Sequence, residues 1–206
     1  MSITIFIAIL TFLVSYKCFQ DQGLLHKLKH YPYAESRNGE LYRFITSGLV
    51  HGDWAHLIIN MYVFYEFGSV IETLFITIHG PLFGRVWYIF LYLGTLIIAD
   101  IPTYLKNKDN PNYASIGASG AVSGILFAYI LFDPWAMLAL FFVIPIPAIV
   151  FAVLYLIYSS WANKSQKGRI DHSAHYYGAL SGLLITILFY PRVFQIFISR
   201  LSELPF

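Results

Sequence analysis

Apolar residues run along this chain in long uniform blocks, and the polar residues are gathered between them. The blocks fall at residues 3–19, 55–78, 86–104, 117–132, 135–158 and 173–198. Most approach the ~20 residues that an α-helix needs to cross a bilayer core, so the pattern predicts six transmembrane helices. The first block has no basic stretch before it and no Ala-x-Ala site after it, and is expected to be a retained span rather than a signal peptide. Residues 20–53 are too charged to cross, yet 24–29 and 41–44 are amphipathic, which predicts a loop lying in the interface. Gly80-Pro81, residues 106–112, Asp133-Pro134 and residues 163–171 carry the turn and charge signals of connectors. Pro145 and Pro147 fall inside the fifth block, where each removes a backbone donor and predicts a kinked or locally broken helix.

Composition agrees with this class. The 206 residues are 58% hydrophobic and 12% charged, which excludes an ordinary soluble core. A net charge of +2, scattered along the chain, argues against nucleic acid as a partner, and the single cysteine, Cys18, leaves no intramolecular disulfide. No internal repeat is found, and residues 1–206 read as a single domain.

The fourth block is shorter than the others and opens with Gly117-Ala-Ser119-Gly120-Ala-Val-Ser123-Gly124. Sixteen residues at about 1.5 Å each span roughly 24 Å, less than the ~30 Å hydrocarbon core, so with Asp133 at one surface the other end is submerged. That end offers unpaired N–H groups and a positive dipole beside the Ser119 hydroxyl, a setting suited to an oxyanion. Two other helices begin with polar groups: His56 and Asn60 share a face of span two through their spacing of four, and Asp171, His172 and His175 open span six. Alternation of spans puts all three N-terminal ends at one side of the membrane. Gly120 and Gly124 on span four, with Gly178 and Gly182 on span six, allow close backbone approach, which draws a nucleophile, Ser119, towards a base, His175. Ser123 lies a turn deeper and farther from the donors. Asp171 is expected to be a helix cap, Glu66 and Glu72 to pair within the bundle, and His26, His30, His79 and His172 to lie at the interface, with His51 shaping the loop.

These residues carry a family resemblance. Arg43, Thr46 and His51 in the first loop, His56-x-x-x-Asn60, Gly117-x-Ser119-Gly120, Ile144-Pro145-Ile146-Pro147-Ala148 and Ala174-His175-x-x-Gly178 resemble, in order and spacing, the rhomboid family of intramembrane serine proteases. The resemblance implies an all-α, six-transmembrane-helix bundle with an interfacial first loop and a short, partly submerged fourth helix. It implies a Ser119–His175 dyad, an oxyanion site from His56, Asn60 and the Ser119 N–H, no cofactor or metal, and a transmembrane protein as substrate. The sequence departs from the family at Ser123, where many bacterial members carry a tyrosine that packs against the base, and at Tyr177, commonly Gly or Ala.

An inactive rhomboid-fold protein of the derlin or pseudoprotease kind, acting in binding or quality control, is the alternative; the presence of both Ser119 and His175 argues against it. A metalloprotease would need a His-Glu-x-x-His or similar set, which the sequence lacks. A transporter would show related halves. Charge and family disagree on orientation. Lys17, Lys27, Lys29, Arg37, Arg43, Lys106, Lys108, Lys164, Lys167 and Arg169 lie on the side of the Ser119 end, against Arg85, Arg192 and Arg200 opposite. The positive-inside rule makes the first side cytoplasmic, whereas the resemblance implies a multi-pass protein of a bacterial cytoplasmic membrane whose site opens extracytoplasmically. The expectation follows the family, because much of the excess lies in an interfacial loop suited to lipid headgroups.

Overall fold

The computed structural model describes residues 2–140, 143–165 and 171–203. Nine α-helices and one short hairpin occur among them. They are α1 (Ile3–Gln20), α2 (Gln22–Leu28), α3 (Pro32–Asn38), α4 (Arg43–Thr46), α5 (Trp54–Asn107), α6 (Ser119–Phe132), strands β1 (Met137–Leu140) and β2 (Ile144–Pro147), then α7 (Ala148–Ser165), α8 (His172–Phe189) and α9 (Arg192–Ser202). α1 and α5 are long and apolar enough to cross a membrane, α8 qualifies only together with α9 across a 113° bend, and α6 and α7 are shorter apolar helices.

α6 is the centre. Eleven of its residues, from Gly120 to Leu131, are buried, as expected of a helix that is apolar on every side. α5 and α8 pack along it, with Tyr88, Leu91, Tyr92 and Leu96 of α5 forming one core with Ala121, Val122, Ile125 and Ala128. α5 comprises the predicted spans two and three. Its two arms meet at Gly80, whose φ of 79° is accessible to glycine at little cost, and Pro81 follows as the first residue of the second arm. α1 is pinned to the first arm by Glu72, which accepts from the Ser2 and Thr4 hydroxyls at 2.6 and 2.8 Å and from the N–H groups of Ile3 and Thr4 at 2.8 and 3.0 Å. Glu72 thereby satisfies the donors that a helix start leaves open.

Two predicted spans need correction. Span five is not one helix from residue 135: residues 137–147 hold an antiparallel hairpin pairing Met137 with Pro147 and Ala139 with Pro145, and the helix begins at Ala148. The chain is therefore not wholly α-helical. Ala148 N–H donates to Ala136 O at 2.9 Å, so by the two-residue alternation of a strand the missing N–H groups of Pro145 and Pro147 fall on the outer edge, where strands tolerate proline. Span six likewise ends early. Tyr190 and Pro191 turn the chain after Phe189, and the amphipathic α9 departs at 113° rather than continuing the span.

The first loop is folded onto the bundle. Arg43 donates to the carbonyls of His26 at 2.8 Å and Lys29 at 3.0 Å, and Thr46 to that of Leu28 at 2.8 Å, together closing the C-terminal end of α2. His30, expected at the interface, is instead buried, with Nδ1 2.8 Å from Glu35 Oε1. Its side chain belongs to the loop core, which sequence position alone does not reveal. Burial opposes its charge, but the Glu35 hydrogen bond and the carboxylates of Asp100, Glu35 and Asp171 outweigh burial, and its pKa is raised.

The folded protein thus holds the His30 proton more tightly than the unfolded chain. The resulting stabilisation is complete below the ordinary imidazole value of about 6.5 and is lost as pH rises through the higher folded value. In detergent, the thermal midpoint is expected to fall as pH rises above about 6.5, and this pH dependence to shrink in His30→Gln. An unchanged pH profile in that variant would remove His30 from the account.

Candidate active site

Three helix starts converge. Asp53 caps α5 by accepting from the His56 N–H at 2.8 Å, and Asp171 caps α8 by accepting from the Ala174 N–H at 3.0 Å. Asp171 also accepts from Thr103 Oγ1 at 3.1 Å and Tyr113 Oη at 3.0 Å, so the start of α8 is fixed to the end of α5 and the loop beyond it. α6 begins differently. Its N-cap, Ala118, has no side-chain capping bond, which leaves first-turn N–H groups open beside Ser119.

The approach of α6 and α8 has its origin in glycine. A Cβ at Gly178 would collide with the Gly120 backbone and one at Gly182 with the Gly124 backbone. The contacts advance together by four residues, so the helices run parallel with both starts at one end. There, His175 Nε2 lies 2.7 Å from Ser119 Oγ. This is the geometry in which an imidazole can take a hydroxyl proton.

His56 stands beside the turn that leads into α6. Gly117 has a φ of 117°, and a Cβ there would lie 2.7 Å from His56 Cε1, so glycine is required by conformation and by space. Gly117 N–H donates to Ser47 O at 3.0 Å, anchoring the turn to the first loop. His51 packs edge-on against His56 with ring centroids 4.8 Å apart. Ser15 uses its hydroxyl proton on Leu49 O at 2.9 Å, so the 3.0 Å contact with His51 Nδ1 is donated by the imidazole. Asn60 is buried, with Nδ2 donating to His56 O at 2.9 Å. No hydrogen bond joins His56 or Asn60 to Ser119 or His175 among the described contacts.

The remaining sequence candidates are placed as follows. Ser123 donates to Ser119 O at 2.7 Å, which commits its proton away from chemistry. His172 meets His175 edge-on at 5.9 Å and Tyr158 at 5.5 Å. His79 contacts Phe75 and Tyr190, while Tyr177 turns outward and is 39% exposed, clear of the α6–α8 contact. Lys167 and Arg169 lie outside the described residues. Among the described residues no three His, Cys, Asp or Glu side chains group as a metal site would require. Sequence reasoning missed Tyr155 of α7. Its ring stacks on His175 at 6.1 Å with a 17° interplanar angle, and its hydroxyl lies 2.5 Å from Ser123 Oγ. The one available signal was the Ser at 123, which leaves space for a ring from elsewhere.

A bundle of apolar helices with a serine–histidine contact at the start of its central helix fits an integral membrane protein. The comparison with known families agrees: the Rhomboid domain matches residues 38–192, and the chain belongs to the rhomboid family. The chain is similar to the putative rhomboid protease YdcA of Bacillus subtilis, with 29% identity over 154 residues, covering 73% of this chain and 68% of that one. It is also similar to the rhomboid protease GlpG of Haemophilus influenzae, with 30% identity over 122 residues, covering 59% and 54%. RHOMBOID-like protein 12, mitochondrial, of Arabidopsis thaliana is 29% identical over 150 residues, covering 69% of this chain but 45% of its own length. The matched regions thus span roughly half to two thirds of these relatives.

The glycine contacts generate a graded expectation. Gly182→Ala forces a Cβ into the Gly124 backbone and is expected to destabilise the protein by ~1–3 kcal/mol or more. Gly94→Ala, whose Cβ meets only the flexible end of Ile185 at 3.1 Å, should change the unfolding midpoint much less. Equal midpoints for both variants in micelles would contradict the packing described.

Proposed function

We propose that this chain is an intramembrane serine endopeptidase, hydrolysing a peptide bond in or near the transmembrane helix of a membrane-protein substrate. The observation that carries this reading is the 2.7 Å contact of Ser119 Oγ with His175 Nε2 at an uncapped helix start. It is supported by two similar bacterial proteins that bear protease in their names. In this mechanism Ser119 attacks the scissile carbonyl while His175 takes its proton and later delivers it to the leaving amine. The Ser119 N–H, His56 and Asn60 receive the charge that develops on the carbonyl oxygen.

On this reading α1, the two arms of α5, α6, α7 and α8 are six spans of a single domain. The 14 residues of α6 at about 1.5 Å each cover roughly 21 Å of a ~30 Å core, which leaves Ser119 below the surface. The membrane is a bacterial cytoplasmic one and the sunken end faces outward, against the lysine and arginine count. Orientation is tested with Cys18→Ser carrying Lys108→Cys, in intact cells treated with an impermeant thiol reagent. Labelling before lysis is expected; labelling only after lysis would reverse the topology.

Ser119→Ala and His175→Ala are each expected to lower cleavage of a transmembrane substrate by orders of magnitude with the fold retained. The double variant should be hardly worse, because members of one catalytic unit are not additive. Asn60→Ala should lower kcat by about 100- to 1000-fold with little change in KM, as loss of an oxyanion donor does. A folded, fully active Ser119→Ala protein would eliminate the mechanism; a wild type that binds membrane proteins without cleaving them would favour the pseudoprotease alternative.

A further inference from the structure

α7 lies at the periphery of the bundle. Val153, Leu154, Ile157 and Trp161 are exposed on one side, while Ala148, Ala152, Ser159 and Ala162 are buried on the other. This inner face includes small residues, with Phe151, Tyr155 and Leu156 packed beside them against the core, and Tyr155 is the α7 ring that stacks on His175. Two contacts tie that ring to the site, one to His175 itself and one to Ser123, which in turn donates to the Ser119 carbonyl. Its face lies against the His175 imidazole, nearly parallel at 17° with centroids 6.1 Å apart. Its hydroxyl meets Ser123 Oγ at 2.5 Å.

Proton accounting orders the second contact. Ser123 has one hydroxyl proton and directs it to the Ser119 carbonyl at 2.7 Å, an acceptor that can supply none. The Tyr155 hydroxyl is therefore the donor to Ser123, and a continuous chain runs from Tyr155 through Ser123 to the backbone of Ser119. Phe127 of α6, at 5.6 Å, and Phe151, at 5.4 Å, hold the ring between them. The His175 imidazole, hydrogen-bonded to Ser119 and met edge-on by His172, also stacks on a ring that is itself bonded to the nucleophile's own helix.

We infer that Tyr155 is a positioning residue for His175, with Ser123 as its latch, so that α7 carries the part that keeps the base aligned with Ser119. This rests on the serine-protease reading above. Its consequence is that α7 is coupled to the chemistry through Tyr155.

The test compares wild type with Tyr155→Leu, which keeps apolar volume but no ring, Tyr155→Phe, which keeps the ring but no hydroxyl, and Ser123→Tyr combined with Tyr155→Ala, which supplies a ring from α6. Cleavage of a transmembrane substrate is measured alongside the rate at which a small soluble fluorophosphonate labels Ser119, a reaction that needs no helix to pass α7. Tyr155→Leu is expected to lower kcat by roughly 10- to 100-fold, less than the ~10²–10⁴-fold that a positioned acid–base group contributes in full. Labelling should slow by a similar factor, with KM unchanged. Tyr155→Phe, which keeps the ring but not its latch to Ser123, should fall between wild type and Tyr155→Leu, and the relocated ring should recover most of what Tyr155→Leu loses. An unaltered kcat in Tyr155→Leu, a change confined to KM, or a loss as large in Tyr155→Phe as in Tyr155→Leu would overturn the assignment. If Tyr155→Leu does not fold, the Phe variant and the relocated ring decide the question by the same two rates. A wild type that neither cleaves nor labels at Ser119 removes the protease reading and this inference with it; a wild type active through Ser119 beside an equally active Tyr155→Leu removes the inference alone.

Discussion

Direct backbone contact between α6 and α8 is the constraint on which the other features depend. Apolar side chains alone give no drive for helices to associate in lipid, because the tails are as apolar as the side chains. Specific close packing has to hold them instead. At Gly120 with Gly178 and Gly124 with Gly182 there is no side chain between the helices, so their separation is set by backbone atoms, which do not change rotamer. A hydrogen bond of 2.7 Å between side chains one turn from these contacts requires that kind of rigidity, since a shift of an ångström would break it.

The polar groups around the pair form supporting tiers rather than an independent network. Asp171 ties the start of α8 to Thr103 and Tyr113, Gly117 ties the turn before α6 to Ser47, and His51 links α1 to His56. In an apolar surrounding an unpaired polar group is costly, and the Asp171 and Gly117 contacts pair polar groups while fixing a helix end. The first loop acts in the same way. Arg43 and Thr46 close α2 from within, and the motif residues of the loop therefore serve the architecture that holds the Gly117 turn in place.

α7 differs from its neighbours. It follows a hairpin rather than extending a long span, it rests on the bundle through small residues together with Phe151, Tyr155 and Leu156, and Tyr155 is the one of these three that reaches His175. Combining a base-aligning ring with the most peripheral of the inner helices links the condition of the site to the position of that helix. A tyrosine carried on α6 would keep the ring in place whatever α7 did.

The sequence by itself determined the membrane class, the helix starts that meet, the glycine pairs and the serine and histidine that they bring together, because each is encoded locally by hydrophobic block length, helix period or the absence of a side chain. Asp171 as a cap and Glu72 as an internal partner were legible for the same reason. Only the tertiary structure decided the rest. The run through Pro145 and Pro147 is apolar enough for a helix, and whether proline kinks a helix or edges a hairpin depends on whether residues 137–140 lie alongside to pair. His30 reads as an interfacial residue until Glu35, Asp100 and Asp171 surround it, and these come from three separate parts of the chain. Tyr155 is one of sixteen tyrosines in the sequence. Nothing in its neighbourhood along the chain distinguishes it, since its two decisive partners, Ser123 and His175, lie 32 and 20 residues away and become neighbours only when α6, α7 and α8 pack.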